Sequence, residues 1–215
     1  MRTAIFISGR GSNMRALIDA AATDDFPAEI ALVISNTPDA AGLEYAAEWD
    51  IPTRVLNHRD FDERGDFDNA LHDIVAAAGI ELICLAGFMR LLGEEFIQKW
   101  PDRIINIHPS LLPAFRGLNT HERVLSTGVR FTGCTVHLVR PEMDDGPIIG
   151  QAVVPVQPDD GPEDLAERVL AAEHRLYPYC LWLVASGRTR VQGATVVLEN
   201  TQTPDTVLLN PLPDR

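Results

Sequence analysis

The chain has 215 residues, 46% of them hydrophobic and 23% charged, with three cysteines and a net charge of −13 at pH 7. That length supports one large domain or two small ones, enough for a core without a disulfide or metal staple, while the acidic balance disfavours a phosphate backbone as partner. No run nears 18 apolar residues, residues 1–7 are too short and too weakly charged for a signal peptide, and Cys84, Cys134 and Cys180 lack any C-x-x-C spacing, so a cytoplasmic chain with reduced thiols is expected.

Residues 2–7 are a short apolar run that ends at Ser8-Gly9-Arg10-Gly11, the pattern of a buried first strand entering a glycine loop. Asn13 is placed to cap a helix whose apolar positions Met14, Leu17, Ile18 and Ala21 keep the 3.6-residue period. A strand over 29–34 stops at Ser35-Asn36-Thr37-Pro38. A helix over 40–49 and a short strand over 53–56 follow. Phe67, Leu71, Ile74 and Val75 space a helix over 61–78. Residues 81–86 read as a fourth strand, 94–99 as a short helix and 103–107 as a fifth strand. This alternation predicts a parallel sheet covered on both faces. The pattern then changes. Residues 131–139 and 147–155 are β-rich runs joined through Asp144-Asp145-Gly146, which predicts antiparallel pairing in the second half. Residues 161–186 read as a long amphipathic helix that Pro178 kinks or interrupts. A hairpin near Val191 and Val196 and an extended tail with Pro204, Pro211 and Pro213 complete the chain.

Two segments carry the chemistry. Ser8-Gly9-Arg10-Gly11-Ser12-Asn13 lies between a strand and a helix, where backbone N–H groups and the helix N-terminus suit an anion. It lacks the third glycine and the acidic residue of a dinucleotide fingerprint, and the Gly-Lys of a P-loop. A single phosphate and a plain glycine turn both fit. Asn106 and His108 share one face of an extended chain, and Pro109 ends the strand. An amide and an imidazole aimed at one point can polarise a carbonyl and manage a proton; they can equally bond loop carbonyls. His137 alternates within an apolar strand and reads as a satisfied core residue. His58 and His72 read as surface, residues 60–68 as a solvated charge run, Glu173 and His174 as a solvated helix face, and Thr120 as a helix cap ahead of His121.

Taken in order, Ser8-Gly9-x-Gly11-Ser12-Asn13, Leu85-Ala86-Gly87-Phe88-Met89-Arg90-Leu91-Leu92, Asn106-Ile107-His108-Pro109-Ser110-Leu111-Leu112-Pro113, Gly133-Cys134-Thr135-Val136-His137 and Asp144-x-Gly146-Pro147 resemble the folate-dependent phosphoribosylglycinamide formyltransferase family over about residues 1–190. The resemblance implies an α/β fold: a Rossmann-like open twisted sheet, parallel in its N-terminal half, with antiparallel strands in its C-terminal half. It implies a single domain over 1–190, with a nucleotide-binding half at about 1–100 and a folate and catalytic half at about 101–190. Residues 191–215 are left as hairpin and tail. It further implies formyl transfer from 10-formyltetrahydrofolate to the amine of glycinamide ribonucleotide in purine biosynthesis. Gly11, Ser12, Asn13 and Glu173 would hold the ribonucleotide. Arg64, Met89, Arg90, Leu91, Leu92, Asn106, Arg140, Met143 and Asp144 would line the folate site. Asn106, His108 and Asp144 would be the catalytic set, with no metal. Arg10 stands in the phosphate loop, Arg116 replaces a usual proline, Asn119 replaces a polar residue that is often histidine, and Asp145 adds charge beside Asp144.

The rival readings are a methionyl-tRNA formyltransferase, which wants a C-terminal RNA-binding domain and a basic surface, and a formyltetrahydrofolate hydrolase, which usually carries a regulatory domain ahead of the strand that here starts at Arg2. A non-enzymatic binding module is disfavoured by the intact Asn106, His108 and Asp144. Expected partners are small molecules only, with neither nucleic acid nor membrane, for a monomer or weak homodimer.

Overall fold

In the computed structural model, which describes residues 1–210, the chain opens with β1 (Arg2–Ile7), α1 (Ser12–Ala21), β2 (Glu29–Ser35), α2 (Gly42–Glu48) and β3 (Thr53–Val55). Next come α3 (Arg64–Ala77), β4 (Leu82–Leu85), α4 (Glu94–Lys99), β5 (Ile104–His108) and α5 (Thr120–Thr127). The second half adds β6 (Phe131–Leu138), β7 (Ile148–Pro155), α6 (Pro162–Ala185) and a separate hairpin of β8 (Thr189–Gln192) and β9 (Thr195–Leu198). The seven-stranded sheet has the order β3-β2-β1-β4-β5-β6-β7. Pairing is parallel from β3 through β5 and antiparallel for β5–β6 and β6–β7. The expected change from parallel to antiparallel strands therefore falls at β5.

β1 and β4 are buried along nearly their whole length, as continuous apolar strands covered on both faces should be. One core layer packs α1 and α6 on the sheet through Met14, Leu17, Val169 and Leu181. The other packs α3 and α4 through Phe67, Leu71 and Phe96. Chain direction reverses its lateral progress at β1, with β2 on one side and β4 on the other. The crevice between their carboxyl ends is where open parallel sheets hold ligands.

α6 runs without interruption through Pro178, so the expected break is absent. Proline removes one rung of the helix, but the neighbouring Tyr177, Cys180 and Leu181 are fully buried against the sheet, and tertiary packing carries the helix across. The Tyr177 hydroxyl lies 3.0 Å from Leu85 O in β4 and 3.1 Å from Ile105 O in β5. Two caps also differ from expectation. Gly11, at φ 71°, precedes α1, and Asn13 lies inside the helix with its side chain turned inward. Asn119, at φ 55°, precedes α5, so Thr120 is its first helical residue. The hairpin forms where expected. Beyond it residues 199–210 hold no helix or strand, as expected, and Pro211 and Pro213 lie outside the described residues. No helix among the described residues is long and apolar enough to cross a membrane.

Candidate active site

Three carboxyl-end loops are tied together by Ser8. Its hydroxyl donates to Asn36 Oδ1 after β2 and accepts the Met89 N–H, 2.8 Å away, after β4. Below this knot lies a cavity of about 410 Å³, lined by Gly9, Gly11, Ser12, Asn13, Gly87 and Glu173 among others. Gly11 is required here by its positive φ and by contact with α2, since a Cβ would stand 3.0 Å from Gly42 Cα. Asn13 donates from Nδ2 to Glu173 Oε2 at 2.7 Å, across 160 residues of chain, and its Oδ1 has no protein partner. Burial holds the Glu173 carboxyl above the usual range, with the Asn13 bond opposing. Glu173 is thus buried, not on the solvated face its mid-helix position suggested. His121 also lines the cavity, with Nδ1 unpartnered and its ring held below the ordinary value by burial. A slightly larger hollow, about 470 Å³, lies at the opposite, amino end of the parallel strands near Met1 and Trp49. It has no comparable set of buried polar groups, and sheet topology favours the carboxyl end.

The cavity reaches Pro109, the residue after His108. Asn106 and His108 share one face of β5, and the antiparallel β6 sets His137 directly opposite Asn106. The loop between β6 and β7 returns Asp144 to the same edge. Asp144 Oδ2 lies 3.4 Å from His108 Nδ1 and accepts the Gly117 N–H at 2.8 Å; Oδ1 lies 3.8 Å from His137 Nε2. His108 and Asp144 therefore lie side by side, and Asn106 is linked to them through His137. His108 Nε2 is 2.9 Å from Phe115 O, and a carbonyl only accepts, so that nitrogen carries a hydrogen. His137 Nδ1 donates to Leu138 O at 2.9 Å. Burial lowers that ring's pKa, and because an amide NH₂ only donates, its Nε2 accepts from Asn106 Nδ2 at 3.3 Å. His137 thereby fixes the orientation of the Asn106 amide.

His137 is consequently more than the core residue expected, and its signal was the register opposite Asn106. The backbone groups of Phe115 and Gly117 also belong to the site, and nothing in their side chains announced it. Gly146 is obligatory where this loop rejoins the sheet: a Cβ there would fall 1.6 Å from Leu138 O.

The remaining expected residues fall in different surroundings, and Met89 lines the cavity described above. Met89, Leu91 and Met143 are exposed at 72%, 58% and 50%, whereas Leu92 is buried in the core. The Arg90 guanidinium stacks over Phe67 at 4.7 Å. Arg64 opens α3 and approaches Asp68, 3.8 Å away. Asp68 is itself buried, accepts the Gly93 N–H and is raised by burial, so residues 60–68 are not wholly a solvated run. Arg140 pairs with Asp102. His58 and His72 are half-buried and bonded to Asn36 O and the Trp100 indole, respectively, in place of the surface positions expected.

Comparison with known proteins places these features in context. A family model described as formyl transferase matches residues 1–181. The chain is 39% identical to phosphoribosylglycinamide formyltransferase of Escherichia coli, over 95% of this chain and 96% of that protein. It is 50% identical to the trifunctional purine biosynthetic protein adenosine-3 of Gallus gallus, over 90% of this chain but only 19% of that protein, and so spans about a fifth of that relative's length. Glycinamide ribonucleotide transformylase 1 from Symbiobacterium toebii superposes with a TM-score of 0.90 at 43% identity, covering 92% of this chain and 93% of that one.

Proposed function

The chain belongs to the formyl transferase family, and from that premise we propose that it moves the formyl group of 10-formyltetrahydrofolate onto the amine of glycinamide ribonucleotide. The observation that carries this reading is adjacency: an anion-suited loop and buried carboxylate lie beside the Asn106, His108 and Asp144 cluster. The α1 N-terminus at Gly11, Ser12 and Asn13 receives the ribonucleotide phosphate, with Asn13 Oδ1 and the Glu173 carboxylate available to its polar groups. The folate lies along Met89–Leu92, Arg64, Arg140 and Met143.

The nucleophile is the substrate's own amine, so the enzyme needs no covalent intermediate and no metal. As the amine attacks the formyl carbon, negative charge builds on the formyl oxygen. The second amide hydrogen of Asn106, left free by His137, stabilises it. His108 Nε2–H exchanges the Phe115 carbonyl for the formyl oxygen as acceptor, while Asp144 stays on Nδ1. As the carbon–nitrogen bond to the folate breaks, that proton passes to the departing nitrogen, and the proton shed by the attacking amine returns the imidazole to its starting form. In this reading the enzyme works in the cytoplasm on small molecules alone, as a monomer or weak homodimer. The test is to follow folate absorbance on mixing protein and 10-formyltetrahydrofolate, with and without glycinamide ribonucleotide. A change that requires the ribonucleotide supports transfer. The same change without it identifies a hydrolase, and no change in either arm refutes both.

A further inference from the structure

Asp144 meets His108 only because two loops meet. One, residues 109–119 between β5 and α5, supplies Phe115 O and Gly117 N–H. The other, residues 139–147 between β6 and β7, supplies Asp144 at φ 53°. The next residue on each loop forms an ion pair: Arg116 Nη2 with Asp145 Oδ1. Arg116 is held from behind as well. Its carbonyl accepts from Arg123 Nη1, as does Leu118 O at 3.3 Å, and the Arg123 guanidinium stacks over the Phe115 ring at 5.8 Å. Both loops are thus rooted, one in α5 and the other in the sheet through Gly146, and a single side-chain bridge closes the gap outside the Asp144–Gly117 bond.

We propose that Arg116 and Asp145 are positioning residues for the transfer reaction: their ion pair clamps the two loops so that Asp144 stays on His108 and Gly117. The inference rests on the formyl transfer reading for its kinetic consequence, though not for its structural one. Neither residue lines the cavity described above, so the clamp acts through Asp144. Both side chains are nearly half exposed, at 42% and 46%. A pair so exposed to water and salt is worth only a small factor, about two- to fivefold.

The test compares wild type with Arg116→Ala, Asp145→Asn and the charge-exchanged double variant Arg116→Asp/Asp145→Arg. The first readout is hydrogen exchange at the Gly117 amide, by NMR on the substrate-free chain. Exchange should quicken about two- to fivefold in each single variant and return toward wild type in the double. The second readout is kinetic. Each single variant should lose about two- to fivefold in kcat, with the KM for ribonucleotide nearly unchanged and the double variant recovering. High salt should bring wild type down to the single variants. Gly117 exchange equal to wild type in both single variants, or a double variant no better than either, overturns the clamp. Quickened exchange in a chain that never transfers formyl keeps the clamp and refutes the formyl transfer reading instead.

Discussion

Replacing Asp144 with Asn isolates the charge that the mechanism asks of this side chain. The carboxylate is about 10% exposed and holds His108 Nδ1 and Gly117 N–H on one oxygen, with His137 Nε2 near the other. An asparagine with its carbonyl in the first position keeps both of those acceptor contacts. Its NH₂ then lies toward His137 Nε2, which already accepts from Asn106. The side chain keeps its shape and loses its negative charge. At the 3.4 Å separation and an effective dielectric near 20, the interaction of that charge with a cationic ring is about 5 kcal/mol. That figure bounds the effect, because the ring's positive charge matters most as the formyl oxygen becomes anionic. Positioned acid–base help is usually worth about 10²–10⁴-fold, or about 2.7–5.4 kcal/mol at 1.36 kcal/mol per tenfold. We expect Asp144→Asn to lose kcat in that range, with ribonucleotide affinity within a few-fold of wild type. Steady-state kinetics at saturating folate, equilibrium titration of the ribonucleotide and a thermal melt measure the three quantities. A correctly folded variant with kcat within threefold of wild type would refute the assigned role. So would an affinity loss as large as the loss in kcat.

Gly11→Ala strains a backbone held at φ 71° and crowds Gly42 Cα; the KM for ribonucleotide should rise at least tenfold more than that for folate, and equal rises would count against a phosphate-specific loop. Glu173 binds its proton more tightly in the folded chain than unfolded, so its ionised form costs stability above the raised value, and that cost fades as pH falls through it toward the ordinary 4.5. Glu173→Gln should therefore melt higher than wild type at pH 7.5, with a gain that shrinks toward pH 4.5 and a higher KM for ribonucleotide. Thermal melts across that pH range decide it, and a gain unchanged at pH 4.5 contradicts the burial argument. Dialysis against a strong chelator should leave kcat unchanged, since the acceptor is an amine and the formyl donor is already activated; loss of activity restored by an added divalent ion would contradict this.

Elements with a strong local signature were legible in the sequence. β1 is a continuous apolar run closed by glycine, and Glu94–Lys99 and the Val191 hairpin fall where pattern and turn residues put them. The grouping of Asn106, His108 and Asp144 came from the family resemblance, and the antiparallel return of the loop after β6 is what brings Asp144 beside His108. What escaped was decided by long-range packing. Asn13 looks like a cap by residue type, yet its partner Glu173 is 160 positions away. The role of His137 depends on β5–β6 register, which no local pattern encodes. Pro178 reads as a break because helix propensity is local, whereas the burial that overrides it comes from the sheet. Phe115 and Gly117 contribute backbone atoms, to which residue identity is nearly blind.

The hydroxyl that Tyr177 shares between Leu85 and Ile105 has a consequence for how the protein breathes. Any parting of β4 from β5 must break a bond to α6, and any lift of α6 must release both strands. Glu173 sits one turn earlier on the same helix, so this wall of the cavity is coupled to the sheet. That coupling predicts that amides of the helix centre and of the two strands exchange together, as one cooperative unit, and amide hydrogen exchange checks it.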